Sequence, residues 1–120
     1  MLNAARTFAT LVALLHTYFL ILEKFLWETP RGLKTFNQTA AAAKATAVLA
    51  KNQGLYNGFL VAGILWGIYL NCVNGGKDVL SFFLGCVIVA GAYGAATVNM
   101  RILYVQAIPA VIALGLLLAS

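Results

Sequence analysis

The sequence predicts an all-α membrane protein: a four-transmembrane-helix antiparallel bundle with an amphipathic interfacial helix between spans 1 and 2. Three observations predict it. The chain of 120 residues is 62% hydrophobic and only 9% charged, more apolar surface than one small soluble core can hide. It contains four apolar runs of roughly membrane-crossing length, separated by short polar stretches. Its basic residues collect in those stretches, where a membrane surface accounts for the formal charge of +5. Membrane lipid is therefore the expected partner, and nucleic acid is not.

The first span is expected over residues 7–27. It holds the stretch LHTYFLILEKFLWETPRG, with the chain's single histidine and one of its three acids. On a helix His16, Leu20, Glu23 and Trp27 share a face, and His16 and Glu23 are about 20° apart in angle and roughly 10 Å apart along the axis. Trp27 reads as an interfacial residue, and Pro30 with Gly32 as the end of the helix. Arg6 before an apolar run faintly imitates a signal peptide. No small-residue cleavage pattern follows, so a retained span is expected.

The interfacial segment is expected over 33–51. Lys34, Asn37, Lys44 and Lys51 fall on one helical stripe, and Leu33, Phe36, Ala40, Ala43, Ala47 and Ala50 on another. Thr39 is a candidate N-cap within it. The second span, 53–70, carries the spacings Gly54/Gly58 and Gly63/Gly67, which let another helix approach closely, within the chain or from a second copy. Asn74, Gly75 and Gly76 form a turn. The third span, 79–98, is rich in small residues. A short polar turn containing Asn99 and Arg101 sends the fourth, 102–119, back beside it. Pro109 removes a donor facing the carbonyl of Val105, which predicts a mild kink.

Counting basic residues orients the bundle. Lys24, Arg31, Lys34, Lys44, Lys51 and Arg101 gather on one side, against Arg6 and Lys77 on the other. The first side is expected to be cytoplasmic, with both termini outside. Antiparallel threading then brings Glu23, Asn57, Thr97 and Gln106 to one depth, roughly 6 to 8 Å inside that boundary, as a polar layer.

Glu23 is the sharpest member, because a short carboxylate cannot reach the headgroups and needs a partner, a proton or water. Facing inward, it is expected either to pair with a counter-ion, Arg101 or Lys51, or to accept from Asn57 and Gln106. His16 lies deeper, as a proton relay, a substrate contact or a histidine bonded to a neighbouring helix. Tyr56 joins the candidate site through its neighbour Asn57. The candidate ligand-binding residues are thus His16, Glu23, Tyr56, Asn57, Thr97 and Gln106. Cys72 and Cys86 read as inert buried thiols. His16 and Cys86 alone do not make a metal site, so neither metal nor cofactor is expected. No phosphate loop, nucleophile elbow or paired-carboxylate motif appears.

The stretches LHTYFLILEKFLWETPRG, NQGLYNGFLVAGILWG, FFLGCVIVAGAYGAATVN and LYVQAIPAVIAL resemble the small membrane proteins grouped as domain of unknown function 1304. The likeness covers most of the chain; the alanine run Ala40 to Ala43 and Lys24 depart from the family pattern. The resemblance implies a four-span protein, found mostly in bacteria, and the bacterial cytoplasmic membrane is the expected location. It implies no established reaction and brings no catalytic residue with it.

Three functions remain open on the sequence. The leading one is a binder that holds a small apolar or amphipathic, lipid-like molecule in an intrabundle pocket around Glu23. The second is a small dimeric proton-coupled transporter using Glu23, with the GxxxG faces pairing the homodimer. The third is a sterol or isoprenoid isomerase-like membrane enzyme using His16 and Glu23 as acid and base. A structural hydrogen-bond cluster holding the helices in register would explain the same polar layer without any ligand.

Overall fold

The computed structural model describes residues 1–73, 75–97 and 100–120, and for 102 and 103 the backbone only. The described residues form helices joined by short turns, with α1 at Leu2–Lys24, α2 at Pro30–Thr35, α3 at Ala40–Val73, α4 at Lys77–Thr97, α5 at Met100–Ile102 and α6 at Ile108–Leu118. A π-helical turn, Leu103–Ala107, joins α5 to α6. Three of the helices, α1, α3 and α4, are long and apolar enough to cross a membrane. The chain divides into two compact units, one of residues His16–Phe59 and one of Met1–Leu15 with Leu60–Ser120.

In the His16–Phe59 unit, α1 stops at Lys24, although Phe25 and Leu26 still donate to the carbonyls of Ile21 and Leu22 at 3.0 and 3.2 Å. The expected extension to Trp27 is therefore corrected, and so is the reading of Pro30 as a terminator. Pro30 opens α2, because its fixed φ and missing donor suit the first helical turn. Thr29 caps it, accepting from the amide of Gly32 at 3.3 Å while its hydroxyl donates to the Leu26 carbonyl at 2.7 Å. Gly32 is buried against the carbonyl oxygens of Leu26 and Trp27, where a Cβ has no room. The TPRG stretch is thus a tight reversal that starts a helix.

The expected interfacial helix over 33–51 is not one helix. Asn37 takes a left-handed backbone, φ 49°, which ends α2, and Thr39 caps α3 by accepting from the amide of Ala42 at 3.1 Å. From there α3 continues unbroken for 34 residues, so 40–51 are the first turns of the same helix that carries the second apolar run. Alanine is the best helix former, and no glycine or proline interrupts 40–53. Trp27 fastens this part of the unit. Its indole donates to the Ala43 carbonyl at 3.1 Å and to the Thr46 hydroxyl at 3.2 Å, and its ring lies 4.8 Å from that of Phe36.

In the other unit the core follows helical periods. Ala5, Ala9, Val12 and Ala13 of α1, Leu80, Leu84 and Val87 of α4, and Ala110, Ala113 and Leu117 of α6 are buried together with Ile64. So many alanines in a core mean close backbones, the packing that helices use where apolar side chains gain nothing by leaving lipid. Gly67 lies against the backbone of Leu80, Gly63 against the ring of Phe83, and Gly91 against Ala107. Lys77 donates to the carbonyl of Ser120 at 3.2 Å, which with the Gly91–Ala107 approach shows α4 and α6 running antiparallel. Arg6 closes one end, giving two hydrogen bonds of 2.8 Å to the side chain and carbonyl of Asn71. Gly75 and Gly76 have φ of 96° and 72°, the left-handed turn their type permits.

The expected fourth run is divided between α5, the π turn and α6, and its apolar helical part, Tyr104–Leu118, is shorter than the three long helices. Pro109 supplies the reason: with no donor for the Val105 carbonyl, the ladder widens over Leu103–Ala107 and recovers after it. The expected turns at Asn74 and Asn99, and the end of the third run at Val98, fall on residues outside those described. Cys72 is exposed and Cys86 partly buried, so the expectation of two buried thiols fails for Cys72.

Candidate functional site

The site grows from two glycines. A Cβ at Gly54 would lie 3.3 Å from the carbonyl oxygen of Leu20 and 3.3 Å from the Cβ of Lys24; one at Gly58 would lie 3.0 Å from the Leu20 side chain. The last turn of α1 therefore rests on a strip of α3 that has no side chains. Asn57 projects from the same strip, between the glycines in sequence. Because the helices are close, its short amide reaches across and Nδ2 donates to Oε1 of Glu23. Both residues are buried, Glu23 to 3% exposure and Asn57 to 9%.

The remaining candidates are placed as follows. His16 is fully buried on α1, about two turns before Glu23, with its ring edge-on to Phe19 at 5.5 Å. Tyr56 is 62% exposed and lies beside Phe59, because consecutive helical residues point about 100° apart; adjacency to Asn57 does not bring it to Glu23. Thr97, Arg101 and Gln106 belong to the other unit. There Thr97 is exposed and spends its hydroxyl on the carbonyl of Tyr93 at 2.7 Å, Arg101 is exposed, and Gln106 lies partly buried in the π turn. The hydrogen bond given to Glu23 comes from Asn57, one of its expected donors. Trp27, beyond the end of α1, leaves the face of His16 and Glu23 and covers α3 instead.

Sequence reasoning missed three features. Arg31 donates to the hydroxyl of Tyr18 at 3.0 Å, folding α2 back along α1. Trp27 is a clasp on α3. Gly54 and Gly58 serve the Glu23–Asn57 contact, for which the signal was present in GLYNG as an amide flanked by glycines. Two open grooves run along α4, one lined by Trp66, Asp78, Val79, Phe82 and Phe83, the other by Ser81, Phe82, Gly85, Cys86, Val89, Ala90 and Tyr93. Neither includes Glu23, Asn57 or His16.

The family described as "Protein of unknown function (DUF1304)" matches residues 10–118, nearly the whole chain. The chain belongs to this family. A similar protein is the "Uncharacterized protein YpaA" of Lactococcus lactis subsp. lactis (strain IL1403), 30% identical over 106 residues that cover 87% of each chain. No solved structure matches significantly. Glu23, Asn57, Gly54 and Gly58 all lie inside the DUF1304 match. Neither description names a reaction, ligand or partner, so what the site does rests on its own chemistry.

Proposed function

We propose that this DUF1304 protein is a four-span integral membrane protein whose buried Glu23–Asn57 pair orients the polar end of a small apolar or amphipathic, lipid-like molecule. In this reading α1, α3, α4 and the α5–α6 segment cross the bilayer, and α2 with the first turns of α3 lies at the cytoplasmic surface. Both termini are then outside.

The observation that carries the reading is the buried carboxyl of Glu23, bonded to the Asn57 amide. Burying an ionisable group within an apolar helix is costly, and such groups mark functional sites by default. A purely structural link between α1 and α3 would be served by two amides or two apolar side chains at lower cost. Glu23 instead keeps a carboxyl here, with Oε1 taken by Asn57. A carboxyl suits a hydroxyl or ammonium donor on a ligand whose apolar remainder lies among the helices.

The alternatives have less support. A transporter dimer joined through GxxxG faces loses its motive, since both glycine pairs are occupied within the chain. An isomerase-like enzyme asks more of the site, a proton exchange across one substrate between His16 and Glu23, which lie about two turns apart on α1.

Native mass spectrometry of the protein released from mild detergent tests the proposal. A discrete small-molecule adduct on the wild type, lost in Glu23→Gln, is the expected result. A clean unliganded mass for both would refute it and leave a structural link.

A further inference from the structure

We infer that the basic face of the His16–Phe59 unit binds the phosphate groups of anionic phospholipids, with Lys24 and Lys51 as its central pair. The inference does not rest on a ligand at Glu23.

Charge distribution within the unit is the first argument. Its five basic residues, Lys24, Arg31, Lys34, Lys44 and Lys51, are all exposed, against a single exposed acid, Glu28, because the other acid, Glu23, is buried. The basic residues at the opposite ends of the chain's long helices are used differently: Arg6 is held by Asn71, and Lys77 donates to the Ser120 carbonyl. Arg31 is likewise spent on the Tyr18 hydroxyl, which leaves Lys24, Lys34, Lys44 and Lys51 to a partner of opposite charge.

Backbone geometry pairs two of the five. The Cβ of Lys24 lies 3.3 Å from where a Gly54 Cβ would be. Lys51 precedes Gly54 by three residues on α3, one helical turn and about 4.5 Å along the axis. The missing side chain at Gly54 thus sets Lys24 of α1 beside the turn that carries Lys51, close enough for both ammonium groups to share one phosphate. Lys24 also ends α1, where a cation offsets the helix dipole.

The neighbours of the pair select a lipid over a soluble acidic partner. Phe25 follows Lys24 and is 67% exposed; Val48 and Leu55 flank Lys51 and are 73% and 46% exposed. Each lysine therefore stands at a junction between cationic and apolar surface. A phospholipid matches both at once, with phosphate on the ammonium groups and acyl chain against the apolar side chains.

The test is a titration of the delipidated full-length protein with phosphatidylglycerol or phosphatidylcholine of identical acyl chains, read as lipid-bound fractions by native mass spectrometry. Wild type is expected to prefer phosphatidylglycerol by roughly fivefold, the effect of about one surface charge contact. Lys24→Gln with Lys51→Gln should bring the two lipids to near equality. Lys24→Arg with Lys51→Arg should keep the preference, as should Lys77→Gln in the other unit. Equal affinities in wild type would overturn the inference and leave the face to an acidic protein. Persistence of the preference in the double glutamine variant, or its loss in the double arginine variant or in Lys77→Gln, would overturn it as well.

Discussion

Gly67→Ala, measured against Gly85→Ala, tests the helix packing most directly. A Cβ at Gly67 would lie 2.8 Å from the Cα of Leu80 and 2.9 Å from its Cβ and N, a meeting with backbone that cannot rotate away. At Gly85 nothing lies within 4 Å. Both changes replace glycine by alanine inside a helix, so both gain about 1 kcal/mol of helix propensity. Only Gly67→Ala must also push α3 and α4 apart, an overpacking cost of about 1–3 kcal/mol. Subtracting one variant from the other cancels the propensity gain and leaves about 1–3 kcal/mol of packing. The assay is unfolding in mild detergent titrated with sodium dodecyl sulfate, followed by tryptophan fluorescence, with subunit number measured on the same samples. Gly85→Ala should unfold at the same or a higher midpoint than wild type, and Gly67→Ala at a lower one. Equal midpoints for the two variants would refute the close α3–α4 crossing. A change of subunit number confined to Gly67→Ala would show instead that this glycine pairs copies of the chain.

Two further predictions concern polar and backbone chemistry. Asn57→Leu removes the donor to the buried Glu23 and should destabilise the fold by about 1–3 kcal/mol. Adding Glu23→Leu should recover part of that loss, and a double-mutant cycle in the same unfolding assay would show no coupling if the two residues are not bonded. Pro109→Ala returns a donor for the Val105 carbonyl, so the π turn Leu103–Ala107 should close into an α ladder. Slower amide hydrogen exchange across residues 103–108 is the expected sign, and unchanged exchange would separate the turn from the proline.

How far the sequence reached depended on whether a feature was periodic or local. Helical class, the three long apolar helices, the Thr39 cap and the Glu23–Asn57 contact followed from spacing and from the cost of a polar group in an apolar run. The ends of elements did not. Pro30 carries the same residue signal whether it stops one helix or starts the next. The choice was made by Thr29 and by the tight fit of Gly32 under Leu26 and Trp27, which are tertiary facts. Tyr56 entered the candidate site through its neighbour Asn57, but a helix turns neighbours apart, and Tyr56 is exposed where Asn57 is buried. The amphipathic stripe over 33–51 was real in its periodicity yet ran across a break, since a left-handed Asn37 leaves no mark on a hydrophobic pattern. Whether the GxxxG pairs acted within or between chains needed the structure, because a bare helix surface looks the same to either partner.

The glycines and the polar pair explain each other. Asn57 has one of the shortest amide side chains, and it bridges to Glu23 only because Gly54 and Gly58 let the Leu20–Lys24 turn rest on the backbone of α3. The close approach in turn excludes other groups from around the pair, leaving Glu23 3% exposed, so the hydrogen bond forms where unmet polar groups are most costly. A side chain at either glycine would separate the helices and unmake the bond; loss of the bond would leave a buried carboxyl at a helix crossing that nothing else requires to be polar. That interdependence ties the apolar packing of GLYNG to the single carboxyl of LEKFLW.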